Sequence, residues 1–198
     1  MKSTRTATVH RKTRETDIYV SVNLDGNGTA EIETGIGFFD HMLDALSRHS
    51  GIDLVVKAKG DLEIDCHHTV EDVGIVLGMA LKKALADKKS IIRFGFAYCP
   101  LDEALARSVI DISGRAYFIY NCDIEFSLIG QFPGELWQEF LRAFTTHAAL
   151  NLHVHLIYGT NQHHIIEAMA KAIALALKQA IRINPGQSEV PSTKGVLE

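Results

Sequence analysis

The chain carries the same short histidine-rich segment twice, and this duplication constrains its fold more than any other feature. His67-His68-Thr69-Val70-Glu71 aligns with His163-His164-Ile165-Ile166-Glu167. An Ala/Leu-rich apolar run follows each segment, at 73–85 and at 169–181. Self-similarity over tens of residues indicates one supersecondary unit used more than once. We therefore expect two similar units that each present a histidine-rich helix.

The alignment extends upstream of both segments and divides the chain into consecutive repeats. The segment 41–46 falls on 139–144, and the leading strand 15–19 falls on 115–119, which places Glu15 opposite Arg115. The resulting prediction is a single catalytic domain over 1–198, made of one repeat at about 5–92, a second at 93–184 and a C-terminal tail at 185–198.

The coarse pattern within the first repeat is mixed α/β. Alternating polarity over Thr16–Asn23, a turn at 25–28 and an extended segment at 29–33 predict a hairpin. A short helix capped by Asp40 follows, then strands at 52–57 and 62–65 and a long helix over 68–86. The fold class is therefore α/β (α+β), with the long helices of the two units packed together.

Composition limits the classes of partner. A formal net charge of −4 argues against nucleic acid, which requires concentrated positive charge. No run reaches the roughly 18 apolar residues that span a bilayer, and no apolar signal core follows the N-terminal residues 1–6. The three widely spaced cysteines, Cys66, Cys99 and Cys122, are expected to be reduced thiols in a cytoplasmic protein.

Each histidine-rich segment has the spacing of a metal site. His67 and Glu71 lie four residues apart on one helix face, whereas His68 points about 100° away around the axis. Two helices that approach symmetrically would then hold two ions, one bound by His67, Glu71 and His164 and the other by His163, Glu167 and His68. His41 and its counterpart Glu139 are candidates for the remaining positions. Imidazole and carboxylate ligands suit Mn, Fe, Co, Ni or Zn, and the ligands do not identify the metal.

At this point the chain resembles the imidazoleglycerol-phosphate dehydratase family, in its monofunctional form. The resemblance covers essentially the whole chain. It is carried by five motifs: Gly37-Phe38-Phe39-Asp40-His41-Met42-Leu43, Asp65-Cys66-His67-His68-Thr69-Val70-Glu71-Asp72, Asp111-Ile112-Ser113-Gly114-Arg115, His163-His164-Ile165-Ile166-Glu167-Ala168 and Pro191-Ser192-Thr193-Lys194-Gly195.

The resemblance implies an activity, a cofactor and an assembly. The activity is dehydration of D-erythro-imidazole glycerol phosphate to imidazole acetol phosphate in histidine biosynthesis, with two Mn²⁺ per active site. The implied assembly is a homo-oligomer of trimers in a 24-subunit shell. The implied fold has two units, each a mixed four-stranded sheet with two helices, and the helices lie between the sheets. Some relatives carry a metal-binding histidine where this chain has Glu139.

The resemblance also implies roles for individual residues. Glu15 matches a position linked to proton transfer and to substrate, and His49 is expected to assist or to contact substrate. The residues that match substrate-contacting positions, several of them phosphate-binding, are Arg93, Arg115, Lys171, Ser192, Thr193 and Lys194.

Two other functions remain open at this point. A dinuclear metallohydrolase acting on a phosphoester could use the same metals and basic residues, although such enzymes usually have more bridging aspartates. A metal-assembled shell or storage protein could use the histidines only to join subunits. Glu15 distinguishes catalysis from storage, because a storage protein has no need of it.

Overall fold

The structure, a computed structural model, describes residues 5–197, so residues 1–4 and Glu198 of the predicted domain lie outside the described residues. The first repeat contains β1 (Thr6–Lys12), β2 (Thr16–Asn23), β3 (Ala30–Glu33), α1 (Gly37–Ser50), β4 (Asp53–Gly60) and α2 (His67–Leu85). The second contains β5 (Phe94–Leu101), β6 (Ala104–Asp111), β7 (Tyr117–Asn121), the short β8 (Leu128–Ile129) and β9 (Phe132–Pro133), α3 (Leu136–Ala148), β10 (Asn151–Tyr158) and α4 (Gln162–Ile181).

The two repeats form two four-stranded mixed sheets of the same topology. Their strand orders are β1-β2-β4-β3 and β5-β6-β10-β7, and in each sheet the last pair is parallel while the other pairs are antiparallel. This confirms the predicted fold class and shows that β1, β2, β3 and β4 are equivalent to β5, β6, β7 and β10.

Several local predictions were wrong. The segment 16–33 is not a hairpin, because β2 pairs with β1 and β4, while β3 crosses to the far side of β4 and runs parallel to it. The segment 62–65 forms turns rather than a strand. Asp40 does not precede α1 but lies in its first turn, where its Oδ1 accepts hydrogen bonds from the backbone N–H (3.0 Å) and hydroxyl (2.5 Å) of Thr34.

The helices exchange partners between the repeats. α1 packs against α4 and α2 packs against α3, so each helix pair joins one helix from each repeat, and each long helix has a shorter helix as its main partner instead of the predicted packing of the two long helices together. α2 covers the first sheet and α4 covers the second, which places the helices between the two sheets. Gly74 permits the close approach of α2 to α3, since a Cβ there would lie 2.6 Å from the carbonyl oxygen of Phe140. This packing fixes α2 and α4, whose N-termini carry the duplicated motifs at the edge of the core.

We expect Gly95→Ala to destabilise the protein by about 1–3 kcal/mol, the usual range for overpacking of a well-packed interior. A Cβ at Gly95 on β5 would lie 1.9 Å from the carbonyl oxygen of Ala176 on α4, and backbone cannot move aside as a flexible side chain can. The free energy of unfolding in urea measures the effect. Gly37→Ala is the control, because nothing lies within 4 Å of its Cβ position; equal stability of the two variants would contradict the prediction.

Candidate active site

The start of α4 holds two adjacent histidines in fixed positions. Asn161 caps the helix, and its Oδ1 accepts hydrogen bonds from the backbone N–H of His163 (2.9 Å) and of His164 (3.3 Å). Asp65 has a similar place before α2, where its Oδ1 accepts the N–H of His67 at 2.7 Å. Asn and Asp favour such positions because they satisfy helix N–H groups that lack an intrahelical partner. Both pairs of histidines are therefore presented by a rigid first turn.

His41, His163 and Glu167 form a compact cluster of metal-binding atoms. His163 Nε2 lies 3.0 Å and His41 Nε2 lies 3.2 Å from Glu167 Oε2, and the three donor atoms all lie within 4.8 Å of one another. Phe38 packs edge-on against the His163 ring, with ring centroids 5.0 Å apart. Two imidazoles and a carboxylate at this spacing fit a divalent ion of the Mn-to-Zn series.

The charge of Glu167 is strongly stabilised. Burial alone would raise the pKa of this carboxyl, but hydrogen bonds from Lys171, His41 and His163 lower the pKa to about 2. Lys171, one turn along α4, contributes its ammonium at 2.8 Å from Glu167 Oε1. Glu167 is therefore ionised at neutral pH, the state that a metal ligand requires.

The first repeat presents a more open version of the same motif. His67 Nε2 and Glu71 Oε2 are 3.9 Å apart, and their side chains are 44% and 47% exposed, against 13% for Glu167. Within the described residues, the only group of three donors is the one that includes His41. The chain alone thus brings together the predicted pairs His67–Glu71 and His163–Glu167.

The predicted third ligands, His68 and His164, are engaged elsewhere. His68 Nδ1 lies 3.0 Å from Asp61 Oδ2, and His164 Nδ1 lies 2.7 Å from Glu103 Oε2. These contacts raise the pKa of both histidines, while Glu103 has its pKa lowered to about 2, chiefly by His164. A carboxylate on Nδ1 fixes the ring and leaves Nε2 for another partner. His164 lies apart from its neighbour His163, and His68 from its neighbour His67, because adjacent helical residues diverge by about 100° around the axis.

The sequence reasoning missed both of these carboxylates. Glu103 occupies the turn of the β5–β6 hairpin, at the position immediately before β6, and Glu15 occupies the position immediately before β2. The strand order makes these two hairpins equivalent, so the structural counterpart of Glu15 is Glu103. The predicted correspondence of Glu15 with Arg115 was wrong, because 115–119 leads into β7, the counterpart of β3. Asp61 had a visible signal, the Gly60-Asp61 turn shortly before the histidine pair.

Glu139 lies in the first turn of α3 and outside the cluster of three donors. Its Oε2 is 3.4 Å from Nε of Arg142, one turn along the helix. Its role as a metal ligand stays a prediction.

The two residues predicted to act on protons lie beside different parts of the site. Glu15 is exposed in the β1–β2 turn, and its negative charge contributes to the raised pKa of His68. His49 is half-buried near the end of α1, where burial, followed by the positive charge of Lys171, lowers its pKa. His49 is consequently neutral at physiological pH, a form that can accept a proton.

The predicted phosphate-binding residues are partly assembled in the chain. Arg93 forms a two-point ion pair with Asp111, at 2.7 and 3.1 Å, and donates a third hydrogen bond of 2.8 Å to the carbonyl of Pro191. This bond brings Ser192 and the exposed Thr193 and Lys194 to the side of Arg93. Lys171 lies instead in the histidine cluster, and Arg115 is exposed.

The fold and the site together define a class of protein: a duplicated α/β protein whose histidine–carboxylate cluster can hold a divalent metal ion. The family model described as imidazoleglycerol-phosphate dehydratase matches residues 34–177, which include α1, both histidine motifs and most of α4. The chain belongs to the imidazoleglycerol-phosphate dehydratase family and is an enzyme of the hydro-lyase type.

Relatives of the same name match along almost the whole chain. The chain is 54% identical to the imidazoleglycerol-phosphate dehydratase of Ruegeria sp. (strain TM1040) over 98% of its own length and 100% of the relative. It is 55% identical to that of Thermoanaerobacter pseudethanolicus, with the same coverage. The crystal structure of imidazoleglycerol-phosphate dehydratase from Staphylococcus aureus N315 is similar with a TM-score of 0.82 and 40% identity, over 90% of this chain and 99% of that one.

Among residues 5–197, none of the helices combines the length and the apolar character needed to cross a membrane.

Proposed function

We propose that this protein catalyses the metal-dependent dehydration of D-erythro-imidazole glycerol phosphate to imidazole acetol phosphate, a step of histidine biosynthesis, with two Mn²⁺ per active site. The observation that carries the proposal is the cluster of His41, His163 and Glu167, in which two imidazoles and an ionised carboxylate are held together by two packed helices. The names of the relatives supply the substrate. Manganese is proposed from the family resemblance; the donor set is compatible with it and with other divalent ions of the series.

To convert the glycerol side chain into the acetol, hydroxide must leave the carbon beside the imidazole ring and a proton must leave the neighbouring carbon; the resulting enol then becomes the ketone. A divalent ion held at such a site would act as a Lewis acid that favours the deprotonated form of the imidazole, whose ring electrons would assist the departure of hydroxide. The chain supplies the other functions. Glu15 transfers protons, neutral His49 accepts or relays one, and Arg93, Arg115 and the tail residues Ser192, Thr193 and Lys194 hold the phosphate. Lys171, beside Glu167, completes the substrate contacts.

The homo-oligomer, proposed as trimers in a 24-subunit shell, is supported by the outer face of the second sheet. Phe94, Phe96 and Tyr98 alternate along β5 and are 54%, 64% and 54% exposed. Val109 faces the same way, since it is paired with Phe96. An apolar patch of this kind on a protein surface is typical of a contact with another chain. His68 and His164, which lie outside the cluster formed within one chain, are available to complete sites across such contacts.

The remaining proposals concern location and other partners. A cytoplasmic location is supported by the three cysteines, all of them free in the structure. The predictions of no nucleic-acid partner and no membrane partner rest on the net charge of −4 and on the absence of long apolar runs.

Removal and return of metal test the proposed function. The protein is treated with a chelator, dialysed and given Mn²⁺, and product formation and particle size are measured at each stage. We expect dehydration only with metal, together with growth of a large particle. Metal-driven assembly without product would leave a metal-assembled shell protein as the better function, and full activity after verified metal loss would contradict the metal dependence.

We expect Asp61→Asn and Glu103→Gln each to weaken metal binding by about 10–100-fold, the usual effect of losing a carboxylate that orients a histidine ligand. Each substitution removes the negative charge that holds Nδ1 of His68 or of His164. Titration of the metal-free protein with Mn²⁺ measures the affinity. Glu63→Gln, an exposed carboxylate in the same loop as Asp61, is the control; if the control and the test variants bind alike, these carboxylates do not orient ligands.

A further inference from the structure

The turns of the two equivalent hairpins place their glutamates differently. Glu103, in the second repeat, reaches the histidine of its own repeat directly, at 2.7 Å from His164 Nδ1. In the first repeat the corresponding position on His68 is occupied by Asp61, and Glu15 is exposed. The first hairpin thus keeps its glutamate close to a histidine of the metal motif without using it to hold that histidine.

A buried carboxylate connects this first hairpin to the metal-binding helix. Asp72 directly follows Glu71 on α2, and its side chain is only 11% exposed. Arg11 of β1 donates to Asp72 Oδ2 at 2.5 Å, and the hydroxyl of Thr16, the first residue of β2, donates to the same oxygen. A shielded carboxylate is retained when charged and neutral donors satisfy it in this way. The contact joins both strands of the hairpin to one point on α2.

The hydrogen bonds continue from Thr16 to the backbone of Glu15. Thr13 Oγ1 lies 3.2 Å from Thr16 Oγ1 and accepts the backbone N–H groups of Glu15, at 3.1 Å, and of Thr16, at 3.0 Å. The backbone N–H of Thr13 donates to the carbonyl of Thr16 at 2.8 Å. The peptide that carries Glu15 is therefore held by a continuous set of hydrogen bonds that ends at Asp72.

The second repeat lacks the polar side chains that form this hydrogen-bond network. The strand registers place Cys99 at the position of Arg11 and Ala104 at that of Thr16, while Ala168 follows Glu167 as Asp72 follows Glu71. The second unit has the same topology without the network, so the fold does not require it. The network occurs only in the repeat whose turn glutamate is left free for chemistry.

We propose that Asp72 is a positioning residue that, through Arg11, Thr16 and Thr13, holds Glu15 at a fixed place beside the metal motif of α2. This inference rests on the proton-transfer role proposed for Glu15. A base displaced by about 1 Å can lose roughly 100-fold in rate. Loss of the network should therefore lower the rate of the chemical step and leave substrate affinity and metal content unchanged.

The test compares Asp72→Asn with Asp17→Asn in the metal-loaded enzyme. Asp17 is the matched control, because it also accepts two donors within this hairpin, from Lys12 and His10, but in an exposed ion-pair cluster. We expect kcat to fall about 10–100-fold in Asp72→Asn, with KM and bound metal nearly unchanged, and to stay close to wild type in Asp17→Asn. Thr16→Val should resemble Asp72→Asn, and Thr16→Ser, which keeps the hydroxyl, should retain turnover.

Three results would overturn the inference. They are unchanged kcat in both Asp72→Asn and Thr16→Val, a loss of bound metal that parallels the loss of kcat, and equal loss in Thr16→Ser and Thr16→Val. If Asp72→Asn fails to fold, the pair of variants at Thr16 decides. Glu15→Gln separates this failure from that of the proposed function. Should Glu15→Gln lose turnover while Asp72→Asn does not, only the positioning role is wrong, whereas an active Glu15→Gln contradicts the proton-transfer role itself.

Discussion

Replacement of Glu15 by glutamine is expected to lower kcat by a factor of about 10²–10⁴, the usual contribution of a positioned general acid or base. Glutamine keeps the size and hydrogen-bonding ability of the side chain but cannot accept or return a proton. Glu15 is exposed in a turn, and it acts on the metal motif through the electrostatic effect of its charge on His68. The substitution should therefore leave folding and bound metal unchanged. Steady-state kinetics, metal analysis and thermal unfolding of the same preparation measure all three.

Glu33→Gln provides the control for this experiment. Glu33 is another exposed carboxylate of the first sheet, at the end of β3, and its loss should change neither kcat nor metal content. An active Glu15→Gln enzyme would assign proton transfer to another group, and half-buried His49 would be the next to replace. A variant that loses metal as well as turnover would place Glu15 among the ligands instead.

The sequence was most informative where a repeated pattern and a fixed helical spacing act together. The alignment of the two histidine motifs predicted the duplication, and the four-residue spacing predicted the contacts of His67 with Glu71 and of His163 with Glu167. His41 was also named as a candidate, and the packing of α1 against α4 brings it to Glu167. Each of these depends on local geometry or on one helix contact.

The rest depends on strand pairing between distant segments, which one sequence does not specify. The turn at 25–28 suggested that its flanking strands pair, but β3 crosses β4 to run parallel to it. The leading strands were also aligned wrongly, which placed Arg115, rather than Glu103, opposite Glu15. The counterpart of Asp72 is Ala168, so a metal site shared by both repeats does not require Asp72. The same asymmetry becomes meaningful once the structure shows which hairpin Asp72 binds.

Replacing Glu167 by glutamine is expected to weaken metal binding by more than about 100-fold, the upper end of the effect of losing a group that only orients a ligand. Glu167 contributes the negative charge of the cluster, and its carboxylate is surrounded by His41, His163 and Lys171. The substitution should also destabilise the metal-free protein by about 1–3 kcal/mol, because it leaves the shielded Lys171 ammonium without its charged partner. Mn²⁺ titration and urea unfolding of metal-free protein measure the two effects.

Glu71→Gln is the matched control, since Glu71 holds the same motif position in the first repeat but is 47% exposed and 3.9 Å from its histidine. Both variants should lose metal, but only Glu167→Gln should lose stability without metal. The pKa of Glu167 is lowered from 4.5 to about 2, so its stabilisation is fully present above the unfolded value and is lost as the pH falls toward about 2. The stability difference from wild type should therefore shrink in acid. A difference that is independent of pH would indicate a packing defect rather than the loss of a charge.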